Sequence, residues 1–238
     1  VYVANKEKAC NNVGIINNTV RLPDYIPEHD LLRVIDFYNN DKTVDGILVQ
    51  LPLPKHINSD KILKAISPEK DVDCFHPSNV ANLWLGKEGI KPCTPQGIID
   101  LLDYGNIDLR GKHVVIIGRS NIVGKPLAQM MLKENATVTI CHSKTKNLQE
   151  ITKLADVIVV AVGKRNVLNG DMVKDGAVVV DVGINRNDEG KLCGDCDYDS
   201  LVDKCSLITP VPGGVGLLTR VTLLDNVLLA HSLNNMCQ

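Results

Sequence analysis

Apolar and polar residues along the chain alternate between a helical repeat and short, solidly apolar runs, so the pattern predicts an α/β protein. Residues 1–12 read as a helix punctuated by Gly14 and by Asn17 and Asn18, and a short extended piece ends at Pro23. Pro27 to Asp30 opens a second helix whose Leu31, Leu32, Ile35 and Phe37 are taken as its apolar face. The run 45–51 has strand length and β-branched content and is stopped by Pro52 and Pro54. A helix is predicted over 59–66, an irregular stretch over 71–77, and a helix from Pro95 to about Leu102.

A more regular alternation begins at Gly111. Strands are predicted over 114–117, 136–140, 157–161, 177–181 and 206–209, with helices over 124–133 and 148–154 and a closing helix over 217–233. Short apolar strands separated by helices imply a parallel sheet covered on both faces, a doubly wound Rossmann-type fold. Two domains are expected, 1–94 and 95–216, the last helix packing back on the first.

The remaining features narrow this picture. A length of 238 residues suits two modest domains, and 44% hydrophobic with 23% charged residues is ordinary globular composition. A net charge of -2 supplies no global field for phosphate chains, so no nucleic-acid partner is expected. No apolar run reaches the ~20 residues of a membrane span, and the first residues do not read as a signal peptide; a cytoplasmic or organellar-matrix location is expected. The eight cysteines are scattered, which favours buried free thiols over staples. Cys193-Gly-Asp-Cys196 has metal-like spacing, but no second pair completes a tetrahedral site, and no metal is expected.

Two sets of residues carry candidate chemistry. Gly118-Arg-Ser-Asn-Ile-Val-Gly124 sits between a strand and a helix, where glycines permit a tight turn and a helix N-terminus offers N–H groups to phosphate. Its spacing departs from GxGxxG, so a plain turn remains an alternative. An NAD site places a carboxylate near the end of the second strand. Here that strand runs into Cys141-His-Ser143-Lys144 without one, and Arg119, Ser143 and Lys144 put donors and positive charge where a 2′-phosphate would sit, which favours NADP. Ser120 is a further phosphate candidate. Val162 and Gly163 after the third strand, and Gly183-Ile184-Asn185 after the fourth, lie at the strand ends where such folds bind ligands.

In the first half, Tyr2 and Lys6 share a helix face at i, i+4. Gln50 ends an apolar strand, where an amide needs a partner if it is buried, and a lysine can supply one. Asp71 and Asp73 flank Val72 and point to opposite sides of an extended chain; one of them facing a cleft would suit the amidine-like edge of a pterin, while capping of local turns is the plainer alternative. Pro210-Val-Pro-Gly213-Gly214-Val-Gly216 forms a rigid-then-permissive loop that lets backbone approach a ligand closely.

Taken with 45–54 and Lys70-Asp-Val-Asp73, these blocks resemble, nearly end to end, the bifunctional methylenetetrahydrofolate dehydrogenase/cyclohydrolase family. The resemblance implies two α/β domains flanking a cleft, a homodimer associating through the nucleotide domains, and tetrahydrofolate one-carbon derivatives as substrates, in the one-carbon supply to purine biosynthesis. It further implies that methylene-tetrahydrofolate gives a hydride to NADP and that water opens the methenyl product to formyl-tetrahydrofolate. Lys6 is then the catalytic lysine and Gln50 its tuning partner, Tyr2 stacks on folate, and Asp73 anchors the pterin. Pro210, Gly213 and Gly214 contact substrate; Gly118, Arg119, Ser120, Ser143, Val162, Gly163 and Ile184 contact the dinucleotide.

Departures accompany the likeness. Cys74 stands where the family commonly has Gly, which is expected to stiffen that loop; Leu217-Leu218 replaces Pro-Met, and Arg220 replaces a small apolar residue. The family also carries a helix and a strand before the Tyr-Lys helix, so the chain reads as a fragment or trimmed form. A single-activity enzyme of the family and an inactive nucleotide-binding fragment are the alternatives.

Overall fold

A computed structural model describes residues 2–236, with the side chains of 3–235. The chain divides into two compact units, Val1–Cys93 with Arg220–Gln238, and Thr94–Thr219.

In the first unit, α1 (Tyr2–Asn12) has its good helix formers at Lys6, Glu7, Lys8 and Ala9 and ends in a turn where Gly14 takes φ +78°. Helix α2 (Glu28–Asn40) carries Glu28 and Asp30 in its first turn, favourable beside the positive end of the helix dipole. Its buried Leu31 and Ile35, at i, i+4, meet Ile62 of α3 (Ser59–Ala65) together with Ile57 and Ile66. Phe37 is not on that face: it is 65% exposed. Two residues of helix turn the side chain by ~200°, which carries Phe37 to the side opposite Ile35.

The strand expected over 45–51 is reduced to a single bridge, Ile47 with Asp71, where Ile47 N donates to the carbonyl of Lys70 at 2.7 Å. An extended apolar run becomes a strand only when a neighbour pairs with it along its length. Among the described residues the partner is one short piece following the 3₁₀ turn Pro68–Lys70.

That turn is tied down by Lys70. Its ammonium is buried and donates to the carbonyls of Tyr38, Asn39 and Asp41 at 3.0, 2.8 and 2.8 Å, closing the C-terminus of α2. Lys70→Met would leave these carbonyls without their charged donor, and the unfolding free energy in urea is expected to fall by about 3 kcal/mol. Asp71 holds the other side: one carboxylate oxygen accepts from His76 N at 2.7 Å and Asn79 Nδ2 at 2.9 Å. These bonds fix the start of α4 (Pro77–Trp84), a helix the irregular reading of 71–77 passed over although Pro77 sits at its first position.

The second unit contains most of α5 (Cys93–Tyr104) and a five-stranded sheet. Its strands are β1 (His113–Ile117), β2 (Thr137–Cys141), β3 (Val157–Val160), β4 (Val178–Asp181) and, last in the sheet, Leu207–Ile208. The order is β2-β1-β3-β4 followed by that last strand, and every pairing is parallel. Residues 114–117 and the whole of β3 and β4 are buried, as expected for strands covered on both faces. Helices α6 (Gly124–Lys133) and α7 (Leu148–Thr152) connect them.

Between β4 and the last strand come a small antiparallel pair, β5 (Asn185–Arg186) with β6 (Leu192–Cys193), and α8 (Tyr198–Leu201). Leu207–Ile208 is therefore β7. Helix α9 (Val215–Met236) starts in this unit, and its residues from Arg220 belong to the first, where Leu223 and Ala230 pack with Val72, Cys74, Ile90 and Cys93. No described helix is long and apolar enough to cross a membrane.

Candidate active site

Within the first unit the fold brings Lys6, Gln50 and Asp73 together. Lys6 Nζ donates to Gln50 Oε1 at 3.2 Å, while Gln50 Nε2 donates to the carbonyl of Leu51 at 2.9 Å and so turns the amide oxygen toward the lysine. The peptide that follows, Leu51–Pro52, is cis.

Asp73 lies in the field of Lys6. Burial pushes its carboxyl up to about 6; the Lys6 charge and a thiol hydrogen bond from Cys93 pull partly the other way. Cys93 Sγ sits 3.5 Å from Asp73 Oδ1, and burial, followed by the Asp73 charge, keeps that thiol protonated and able to donate. Behind the pair, buried Asn226 of α9 donates to the carbonyls of Val72 and Lys91 at 2.8 and 2.7 Å, fixing the backbone on either side of the site. Neither Cys93 nor Asn226 carries a sequence signal: each is ordinary until the chain folds.

Asp71 thus holds the local turn, while the Asp73 carboxyl accepts from the Cys93 thiol and feels the Lys6 charge. Cys74 adopts φ +62°, the left-handed region that glycine fills without cost, and its thiol donates to the carbonyl of Ile90 at 3.2 Å. The Tyr2 side chain lies outside the described residues.

The second candidate set lies at the carboxyl ends of the parallel strands. The chain runs from β1 outward to β2 and then crosses back over β1 to β3, so the order reverses between β1 and β3, the place where open α/β sheets bind ligands. Gly118, φ +138°, follows β1; a Cβ there would overlap the carbonyl oxygen of Ala161 after β3, and one at Gly124 would overlap the carbonyl oxygen of Gly118. Both glycines of the loop are therefore set by backbone packing.

Ser120 ties the loop to the start of α6: its Oγ accepts from Val123 N at 3.1 Å and Gly124 N at 3.4 Å. Lys125 N bonds to the Ser120 carbonyl at 3.1 Å, so the first amides of the helix are occupied, and the donors left for an anion are the loop amides of Arg119 to Ile122, which no other described residue engages. After β2 the chain closes a turn in which His142 N donates to Thr145 Oγ1 and Lys144 N to His142 Nδ1. Arg119, Ser143 and Lys144 are exposed, with side chains bonded to no other described residue.

Past β3 and β4, Val162 and Ile184 are 40% and 50% exposed. Pro210, Gly213 and Gly214 form the turn between β7 and α9, with Val211–Pro212 cis and Gly213 at φ +108°. Cys193-Gly-Asp-Cys196 has a structural part: Asp195 and Asp181 carboxylates accept backbone N–H groups around it. Among the described residues no group of three or more His, Cys, Asp or Glu is arranged to hold a metal.

Taken unit by unit, the molecule is an α/β protein with a dinucleotide-binding type of parallel sheet and a separate lysine–carboxylate site. Residues 1–73 match the catalytic domain of tetrahydrofolate dehydrogenase/cyclohydrolase, and residues 92–235 match the NAD(P)-binding domain of the same enzymes. The chain belongs to this family. The Bacillus anthracis bifunctional protein FolD is 56% identical over 225 residues, covering 94% of this chain and 79% of that protein.

Among solved structures, the bifunctional FolD methylenetetrahydrofolate dehydrogenase/cyclohydrolase of Campylobacter jejuni superposes with a TM-score of 0.95 at 53% identity, covering 97% of this chain and 83% of the other. The Trypanosoma brucei methylenetetrahydrofolate dehydrogenase-cyclohydrolase, solved with NADP cofactor and inhibitor, gives a TM-score of 0.92 at 37% identity, covering 97% and 81%.

Proposed function

We propose that the chain oxidises methylene-tetrahydrofolate with NADP and hydrolyses the methenyl product to formyl-tetrahydrofolate. The observation that carries this reading is the Lys6–Gln50 hydrogen bond at 3.2 Å with Asp73 beside it, in a chain of this family. NADP, when bound, supplies the hydride acceptor. Everything else falls to the protein's own groups.

Asp73 accepts hydrogen bonds from the amidine edge of the pterin, which orients the flat ring and leaves its reactive carbon presented; in hydride transfer such positioning is most of what a protein contributes. Lys6 Nζ exchanges a proton with the attacking water during hydrolysis. Gln50 holds that nitrogen in place. On the nucleotide side, the free loop amides of Arg119 to Ile122 suit the diphosphate, and exposed Arg119, Ser143 and Lys144 suit a 2′-phosphate where an NAD site would carry an acid. The residues present therefore fit NADP.

The assay is direct: purified chain with methylene-tetrahydrofolate is followed for reduced cofactor and for methenyl absorbance, with NADP and with NAD. Turnover with NADP at least about tenfold above NAD is expected from the 2′-phosphate contacts; equal turnover with the two would overturn the cofactor assignment, and no reduced cofactor the dehydrogenase reading. The reading includes a homodimer formed through the nucleotide units, a cytoplasmic or matrix location, no nucleic-acid or membrane partner, and formyl groups delivered to purine biosynthesis. Sedimentation of the purified chain tests the dimer.

A further inference from the structure

Two carboxylates, those of Asp181 and Asp195, are buried at the ligand-binding edge of the sheet, 4% and 0% exposed, although burying a charged group is costly. Among the described residues neither is paired with a cation. Asp195 Oδ2 accepts from both Val162 N at 2.7 Å and Gly163 N at 2.9 Å, and its Oδ1 accepts from Asn185 Nδ2 at 2.8 Å. Asp181 in turn accepts from Gly183 N at 3.0 Å, Asp195 N at 2.9 Å and Cys196 N at 2.9 Å, and its own N–H donates to Thr209 Oγ1 at 2.8 Å. One network therefore joins the ends of β3, β4 and β7. It excludes side chains from its middle: a Cβ at Gly183 would overlap the Asp195 carboxylate, and one at Gly194 the Asp181 carboxylate.

What the network fixes is the backbone carrying Val162 and Ile184, two exposed apolar side chains just past adjacent strand ends. Val162 is held through its own amide, and Ile184 lies between Gly183, whose amide is bonded to Asp181, and Asn185, whose side chain is bonded to Asp195. Exposed aliphatic groups at this edge suit the flat rings of a dinucleotide. The Val162 and Gly163 amides, both turned onto Asp195, take no part as phosphate donors.

We propose that Asp195 is a positioning residue for the dinucleotide: without touching it, the carboxylate sets the conformation of the Val162–Gly163 and Ile184 loops before the cofactor arrives. This rests on the NADP reading above. The carboxylate satisfies donors of two loops at once, and loops held in this way before binding lower the ordering cost of binding.

The test compares the parent chain with D195N and with the D195N/N185D pair. In D195N the amide oxygen can still accept from Val162 and Gly163, but its NH2 opposes the Asn185 NH2; N185D restores an acceptor there and gives up the Asn185 bond to the Gly194 carbonyl at 2.9 Å, so only part of the loss can return. By calorimetry D195N should bind NADP about tenfold or more weakly while remaining folded by circular dichroism, with KM for NADP rising and kcat within about threefold, and the pair should recover part of the loss.

A folded D195N binding NADP within about twofold of the parent would overturn the proposal. Should D195N not fold, amide exchange in the parent decides: slow exchange at Val162 and Gly163 without NADP supports a preset loop, and fast exchange refutes it. A parent that binds no NADP fails the nucleotide reading itself, and the proposal with it, a result distinct from a parent that binds and a D195N indifferent to the change.

Discussion

Lys6→Met should slow hydrolysis of methenyl-tetrahydrofolate by about 10²- to 10⁴-fold, the contribution expected of a group that moves a proton in the transition state. Methionine keeps the length and the apolar stem of lysine, so α1 is not disturbed, but Gln50 Oε1 loses the donor it meets at 3.2 Å and water loses its proton partner. NADP affinity should be unchanged, because the dinucleotide residues belong to the other unit and none is bonded to Lys6. The measurement is the decay of methenyl absorbance at fixed pH, beside an NADP titration of the same protein. Hydrolysis retained within about threefold would remove Lys6 from proton transfer; loss of NADP binding would mean that the variant had damaged more than one site.

Why Lys6 and Gln50 were legible is instructive. They stand 44 residues apart, yet each is odd in its own setting: the lysine lies on a helix face shared with an aromatic, and the amide closes an apolar run. Asp73 was legible only as one of two candidates. The choice between Asp71 and Asp73 belongs to tertiary structure, since it depends on where His76 and Asn79 come to lie. The residues alone leave it open, and the resemblance to the family points to Asp73.

The parallel sheet was read within about a residue or two for β1 to β4, because strands buried on both faces must be continuously apolar and helices of 3.6-residue period separate them. Sequence pattern and structure differ where local sequence and tertiary pairing part company. Residues 45–51 have every strand property except a neighbour along their length. The pair β5–β6 is too short for periodicity to register, and only Asn187-Asp-Glu-Gly190 between its strands marks a turn. In Cys193-Gly-Asp-Cys196 the spacing points to the cysteines, while the residues at work are Gly194, which must lack a side chain, and Asp195, whose carboxylate accepts from the Val162 and Gly163 amides and from the Asn185 side chain. Nothing in the spacing of cysteines announces a carboxylate clamp.

At low pH the pterin anchor should fail before the fold does. The Asp73 carboxyl, pushed up to about 6 mainly by burial, is ionised at neutral pH and becomes protonated below it. A neutral acid cannot accept from both donors of an amidine edge as a carboxylate does, so kcat/KM for the folate should fall by up to about tenfold per pH unit below that value. Asp73→Asn should remove this acid limb and lower kcat/KM by about 10²-fold at neutral pH.

Stability runs the other way. A folded-state value above the unfolded 3.8 means the native chain binds the extra proton between about 4 and 6, so stability falls as pH rises through that window and then levels off. Asp73→Asn should therefore be more stable than the parent at pH 7, by on the order of 1–3 kcal/mol, with the advantage gone below about pH 4. In Lys6→Met the nearby positive charge, the largest influence holding the Asp73 value down, is missing, and the acid limb should move to higher pH. A pH profile of folate binding unchanged by either substitution would separate Asp73 from the pterin and from Lys6 alike.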